Sequence, residues 1–258
     1  MYNIISCQKE NSFSRLKNIL QQGGINAVNL PIVETKTIIV TRQEIEKFKN
    51  FKEHFDFLVF LSPQGVDSLF DNIKFYGVKL KLSGVRIISV GKKTTSSLSK
   101  YGILPDIENP YTTASELYKY LIENKIVDYK KIYFAVGNNF DSSVFGKFEK
   151  SICFYSFFYS NEKRKNFDIE TIKFIKKNKI DAIVFASPSE IDGFMQLPFV
   201  KDNDNFLSKK DQFPIFTIGK TTAWAVKKYG FKEIIISTLP DFEILALEIL
   251  KYWGLIDS

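Results

Sequence analysis

Four short segments of this sequence combine residue types suited to holding an anion. Ser62-Pro63 and Ser187-Pro188 each follow an apolar run and precede a stretch of helical character; Gly91-Lys92 and Gly219-Lys220 do the same, with Thr94 and Thr222 close behind. At a Ser-Pro start the serine hydroxyl caps the helix, and proline in the first turn loses nothing because its missing N–H would have had no intrahelical acceptor. At a Gly-Lys start the absent side chain lets a ligand approach the backbone, and the lysine can neutralise a carboxylate. Unpaired N–H groups at a helix start carry partial positive charge, so each segment is suited to a carboxylate or a phosphate.

Other chemistries are poorly supplied. Gly-Lys-Thr-Thr at 219–222 has the end of a phosphate-binding P-loop, but the pattern GxxxxGKS/T needs glycine at position 214, which is Pro214. Nucleoside triphosphate chemistry is excluded on that ground. The one histidine, His54, and the two cysteines, Cys7 and Cys153, build neither a zinc site nor a Ser-His-Asp triad. Both cysteines lie in short strand-like runs and are expected to be buried, reduced and inert. Tyrosine offers a weak acid able to assist a leaving hydroxyl. Of the 12 tyrosines, Tyr155 and Tyr159 stand out by position, for a reason the repeat makes clear.

The segments recur because the chain contains an internal repeat. Residues 56–70, DFLVFLSPQGVDSLF, align without gaps on residues 181–195, DAIVFASPSEIDGFM, with 6 of 15 positions identical. Residues 87–103, IISVGKKTTSSLSKYGI, align on residues 215–231, IFTIGKTTAWAVKKYGF, with 7 of 17 identical. Both blocks read as strand, turn, helix, and they keep their order. At the start, NIISC leads to a helical stretch closed by Gly23 and Gly24, then to NAVNLPIV; further on, KKIYFAV leads through a polar loop to SICFYSFFYS. Alternating strands and helices predict parallel sheets covered by helices, with ligands bound outside the carboxyl ends of the strands.

The strand count predicts an unusual chain path. The second copy of the repeat supplies three strands and must borrow the two N-terminal ones to match a five-stranded lobe. The chain is thus expected to begin in lobe one, cross near Pro31 to Lys36, build all of lobe two, and return near Tyr155 to Lys165. Two crossings side by side would pair as a two-stranded hinge, with Tyr155 and Tyr159 on the returning one.

Composition agrees with a soluble, cytoplasmic protein: 258 residues, 45% of them apolar, with no uncharged apolar run long enough to span a membrane and no signal-peptide pattern at the start. The net charge of +7 favours an anionic partner, while scattered lysines without a basic aromatic stripe speak against nucleic acid.

In order along nearly the whole chain, LPIVET, FLSPQGVDSLF, ISVGKKTTSSLSKYGI, YTTASEL, VFASPSEIDGF, FTIGKTTAWAVKKYGF and ISTLPDFEILALEI resemble the uroporphyrinogen-III synthases. No single motif is very specific; the ordered set is. The resemblance implies two flavodoxin-like α/β lobes, residues 1–32 with 168–258 and residues 39–154, joined by a two-stranded hinge at 33–38 and 155–167. It implies a cofactor-free, monomeric enzyme without metal that acts on hydroxymethylbilane and makes transient contact with the enzyme supplying it. The substrate loses its terminal hydroxyl, its last pyrrole ring inverts through a spiro intermediate, and the macrocycle closes with net loss of water.

Carried over by position, the family's hinge tyrosine falls on Tyr159, which is expected to help the hydroxyl depart. Substrate-binding positions fall on Ser62, Gly65, Gly91, Lys92, Thr94, Ser115, Ser187, Ser189, Gly219, Lys220 and Thr222. This chain departs from many relatives at Gln8 and Gln64, where a basic residue is common, and KDNDNFLSKKDQ at 201–212 reads as a surface insertion. The competing reading is a non-catalytic bilobed protein that holds an anionic metabolite and has no need of Tyr159.

Overall fold

Near-continuous runs of apolar residues, the pattern of strands covered on both faces, form the central strands of two parallel sheets. The structure, a computed structural model, describes residues 1–108, 113–201 and 213–257. Residues 202–212 of the expected insertion, and Tyr111 and Thr112 of YTTASEL, lie outside the described residues. The chain divides into two compact units, Met1–Glu34 with Glu162–Ser258 as unit 1 and Thr35–Asn161 as unit 2.

Unit 1 opens with β1 (Asn3–Ser6), α1 (Glu10–Gln22) and β2 (Asn26–Asn29). The chain then enters unit 2 through β3 (Val33–Thr37) and continues with α2 (Arg42–Glu46), α3 (Phe51–His54), β4 (Phe57–Phe60), α4 (Pro63–Tyr76), β5 (Arg86–Ser89), α5 (Gly91–Ser99), β6 (Ile107–Glu108), α6 (Ala114–Glu123) and β7 (Lys131–Gly137). The long strand β8 (Ile152–Lys163) leads back to unit 1, where α7 (Ile169–Lys177), β9 (Ala182–Phe185), α8 (Pro188–Phe194), α9 (Pro198–Lys201), β10 (Ile215–Thr217), α10 (Lys220–Lys228), β11 (Ile234–Ile236) and α11 (Phe242–Tyr252) complete the chain.

The described strands of unit 1 form a five-stranded sheet in the order β11-β10-β9-β1-β2, parallel throughout. The second sheet runs β3-β8-β7-β4-β5-β6, parallel from β8 to β6. At its edge, Ile38 N–H donates to Phe158 C=O at 2.8 Å and Arg164 N–H to Ile32 C=O at 2.8 Å. One residue number rises as the other falls, so β3 runs antiparallel to β8.

Both sheets share one arrangement. The strands before the Ser-Pro turns, β9 and β4, sit centrally; β10 and β5, which precede the Gly-Lys turns, lie on one side with β11 and β6 beyond them. On the other side lie β1 and β7, with β2 and β8 beyond. The order matches strand for strand, but unit 1 builds the β1-β2 pair first and unit 2 builds β7-β8 last. Alternation along each strand then divides the cores. Leu58, Phe60, Tyr133 and Ala135 pack on one face of the second sheet, and Phe57, Val59, Ile132 and Phe134 on the other. In unit 1, Ile5, Ile183 and Phe185 face one side and Ile4, Ala182 and Val184 the other.

Candidate active site

The carboxyl end of β7 meets the middle of β8 at a change of register. Val136 pairs with Phe157, but Gly137 pairs with Tyr159, so a bulge inserts Phe158 and sets the tyrosine opposite the glycine. Phe158 is fully buried in the core beside Phe60. A side chain at Gly137 would place its Cβ 2.4 Å from Tyr159 Cε2 and 2.5 Å from its Cζ, so only glycine leaves room for the ring. The backbone holds this strand end as well: Asn138 N–H donates to Tyr159 C=O at 3.0 Å, and Asn138 Oδ1 accepts from Asn161 N–H at 3.1 Å.

The phenol reaches the start of α4. Tyr159 Oη and Ser62 Oγ lie 2.9 Å apart, and Ser62 Oγ also accepts from Gly65 N–H at 3.1 Å. Gly65 is required for this proximity, because a Cβ there would sit 2.6 Å from the Ala135 carbonyl oxygen and push the helix start off β7. Around the pair lies a cavity of about 170 Å³ lined by Leu61, Ser62, Val136, Gly137, Asn139, Phe140, Tyr159 and Asn161. Pockets enclosing a whole ligand measure roughly 300–1,000 Å³, so this one has room for one end of a large molecule.

Of the two tyrosines singled out from the sequence, Tyr159 lines this cavity. Tyr155 packs instead against the rings of Phe140, Phe145 and Phe157, with centroids 5.2–5.7 Å away. Gly91 opens α5 with a φ of 72°, a conformation that favours glycine. Thr94 is buried; the neighbouring Thr95 ties the turn to β5 through a 2.8 Å bond to Ser89. Lys92 is exposed, as is Ser115 in α6.

In unit 1, Gly219 precedes α10, Lys220 is exposed and Thr222 is buried. The Ser-Pro turn of this unit differs from its counterpart. Ser187 makes no cap to its own helix, and its hydroxyl lies 3.0 Å from that of Ser189. A carboxylate takes over: Glu190, buried, accepts from Ala186 N–H at 2.6 Å. Burial pushes the Glu190 carboxyl up to about 7, against hydrogen bonds from Ala186 and Ser187 and the charge of Lys9. Burial, and then Glu190, hold the Cys7 thiol well above its ordinary value. Beside them Gln8 is 1% exposed, and neither of its amide atoms has a hydrogen-bond partner among the described residues.

Reading the sequence passed over Gly137, Asn138, Asn139, Phe140, Asn161 and Glu190. A signal existed for two of them: Gly137 ends an apolar run before paired asparagines, and Glu190 occupies the repeat position that holds Gly65 in the other copy. Cys153, expected to be buried, is partly exposed. No described helix is long and apolar enough to cross a membrane, and no group of three or more His, Cys, Asp or Glu among the described residues could hold a metal ion.

Repeated α/β units with helix starts at the carboxyl edges of parallel sheets, one of them touching a tyrosine in a cavity, define a mixed α/β fold with a candidate site in unit 2. The sequence matches the family of uroporphyrinogen-III synthase HemD over residues 14–246, and the chain belongs to that family. The family's members are lyases that cyclise hydroxymethylbilane. The fold is similar to that of uroporphyrinogen-III synthetase from Helicobacter pylori, with TM-score 0.63, 17% identity, and coverage of 98% of this chain and 100% of that one. It is also similar to a mutant uroporphyrinogen III synthase from the extremely thermophilic bacterium Thermus thermophilus, with TM-score 0.59, 14% identity, and coverage of 99% and 98%. No curated protein matches the chain at a significant level.

Proposed function

We propose that Tyr159 donates the proton that lets the terminal hydroxyl of hydroxymethylbilane depart as water. The observation carrying this reading is the phenol's place in the wall of a cavity sized for one end of the substrate, 2.9 Å from Ser62. As the O–H bond of Tyr159 breaks, its proton goes to the leaving hydroxyl and the carbon–oxygen electron pair leaves with the water. The cation left on the pyrrole ring that carried the hydroxymethyl group is attacked by the last ring at the other end of the chain, which passes through the spiro intermediate, inverts and closes the macrocycle. The proton lost from the ring-closing carbon returns to the phenolate, so the enzyme ends as it began.

The rest of the proposal follows the resemblance. Gly91, Lys92 and Thr94 in unit 2, and Ser187, Ser189, Gly219, Lys220 and Thr222 in unit 1, receive substrate carboxylates, with Ser115 at the start of α6 adding a hydroxyl. The two units act as flavodoxin-like lobes, with the order 2-1-3-4-5 of the unit 1 strands in support, and β3 with β8 serves as the hinge. The enzyme works as a cytoplasmic monomer in transient contact with the enzyme that supplies its labile substrate.

Supplying hydroxymethylbilane and separating the ring isomers tests the chemistry. The wild-type chain yields the type III isomer faster than the type I ring forms spontaneously. Tyr159→Phe lowers kcat by about 10²–10⁴-fold, the usual contribution of a positioned acid, with the unfolding midpoint unchanged. A kcat equal to wild type would remove Tyr159 from the mechanism.

A further inference from the structure

The serine at the start of α4 has a second candidate role besides holding a substrate carboxylate. We propose that Ser62 is a positioning residue for Tyr159: it donates its hydroxyl proton to the phenolic oxygen and so turns the phenolic O–H into the cavity. The inference rests on the reading of Tyr159 as the proton donor.

The hydrogen-bond inventory admits either direction across the pair, and the reading of Tyr159 as the acid selects the one in which Ser62 donates. Ser62 Oγ accepts from Gly65 N–H at 3.1 Å, which leaves one proton on the hydroxyl and one further lone pair. Among the described residues, the acceptor within reach of that proton is Tyr159 Oη at 2.9 Å. If Tyr159 donated instead, its proton would be directed at Ser62 and not at a group in the cavity. With Ser62 donating, the tyrosine proton is presented to the cavity, where a leaving hydroxyl can take it.

The same bond strengthens as the reaction proceeds. Negative charge growing on the phenolic oxygen draws the serine proton closer, and charge-assisted hydrogen bonds are roughly twice as strong as neutral ones. The serine oxygen is in turn supported by the Gly65 N–H at the positive end of α4, a helix of 14 residues. No atom changes owner between Ser62 and Tyr159; the serine keeps its proton throughout. Gly65 and Gly137 build the arrangement, the first by seating α4 against β7 and the second by admitting the ring.

A double-mutant cycle on the full chain, with hydroxymethylbilane as substrate, provides the test. Ser62→Ala lowers kcat about 10–100-fold with KM little changed, whereas a carboxylate-binding role would raise KM. Ser62→Thr, which keeps the hydroxyl, restores most of the rate. In the Tyr159→Phe background Ser62→Ala has no further effect on kcat, because its partner oxygen is gone. Rates are referred to folded protein by melting curves, so the lost cap alone does not register. An additive loss in the double variant, a KM effect in place of a kcat effect, or no rescue by threonine overturns the role of Ser62. An unchanged kcat in Tyr159→Phe alone overturns the underlying assignment of the acid.

Discussion

Two turns descended from one repeat have been put to opposite uses. In unit 2 the start of α4 is capped by Ser62, Gly65 follows it, and the serine faces a phenol. In unit 1 the same positions hold Ser187 and Glu190; the serine leaves its helix uncapped and the buried carboxylate folds back onto Ala186 N–H. The difference teaches that the same turn can either place its serine on the helix start or bring a carboxylate of the chain to the N–H just before it. One residue, glycine or glutamate at the fourth position of the turn, decides which.

The largest effect expected from breaking this contrast is at Glu190. The folded carboxyl keeps its proton up to about 7 whereas the unfolded one releases it near its ordinary value of 4.5. Stability therefore falls as pH rises between these values, by roughly 3 kcal/mol once both are passed. Glu190→Gln keeps the acceptor for Ala186 N–H and removes the ionisation. It should be more stable than wild type near pH 8 by up to that amount and little different near pH 5, as read from denaturant unfolding. An equal gap at both pH values would show that Glu190 does not titrate in this range.

Gly65 sharpens the comparison from the other side. Gly65→Ala sets a Cβ 2.6 Å from a backbone carbonyl that cannot rotate aside. A loss of about 1–3 kcal/mol follows from such overpacking, and the displaced helix start should take Ser62 away from Tyr159, lowering kcat beyond any loss of folded protein. Smallest is the difference between the two serines. Ser62→Ala should cost about 1 kcal/mol as a lost N-cap, while Ser187→Ala, which removes no cap, should stay within about 0.5 kcal/mol. Equal costs would mean that the two turns are alike after all.

Much of this was legible beforehand because it lies in local patterns. The repeat placed the Ser-Pro and Gly-Lys turns after strands, and four fully buried residues at Phe57–Phe60 and at Ala182–Phe185 are what apolar runs bounded by turns encode. Position on the returning strand singled out Tyr155 and Tyr159 together, and the family resemblance chose Tyr159, since nothing local separates the two. What escaped was long-range. The role of Gly137 depends on a ring 22 positions later across a bulge, and that of Gly65 on the carbonyl of Ala135. Glu190 reads as an ordinary polar residue at the start of a helix until its burial is known.

The interleaved sheet order also constrains how the polypeptide can fold during synthesis. Unit 2 is contiguous, so its contacts can form once residue 161 has cleared the ribosome, whereas β1 has only β2 as a partner until β9, 178 positions further along, arrives. For much of translation, then, the first 34 residues carry an amphipathic helix and two strands with no completed core to join. Nesting one unit inside the other thus makes the earliest part of the chain among the last to be stabilised, a period of exposure that long-range pairing imposes.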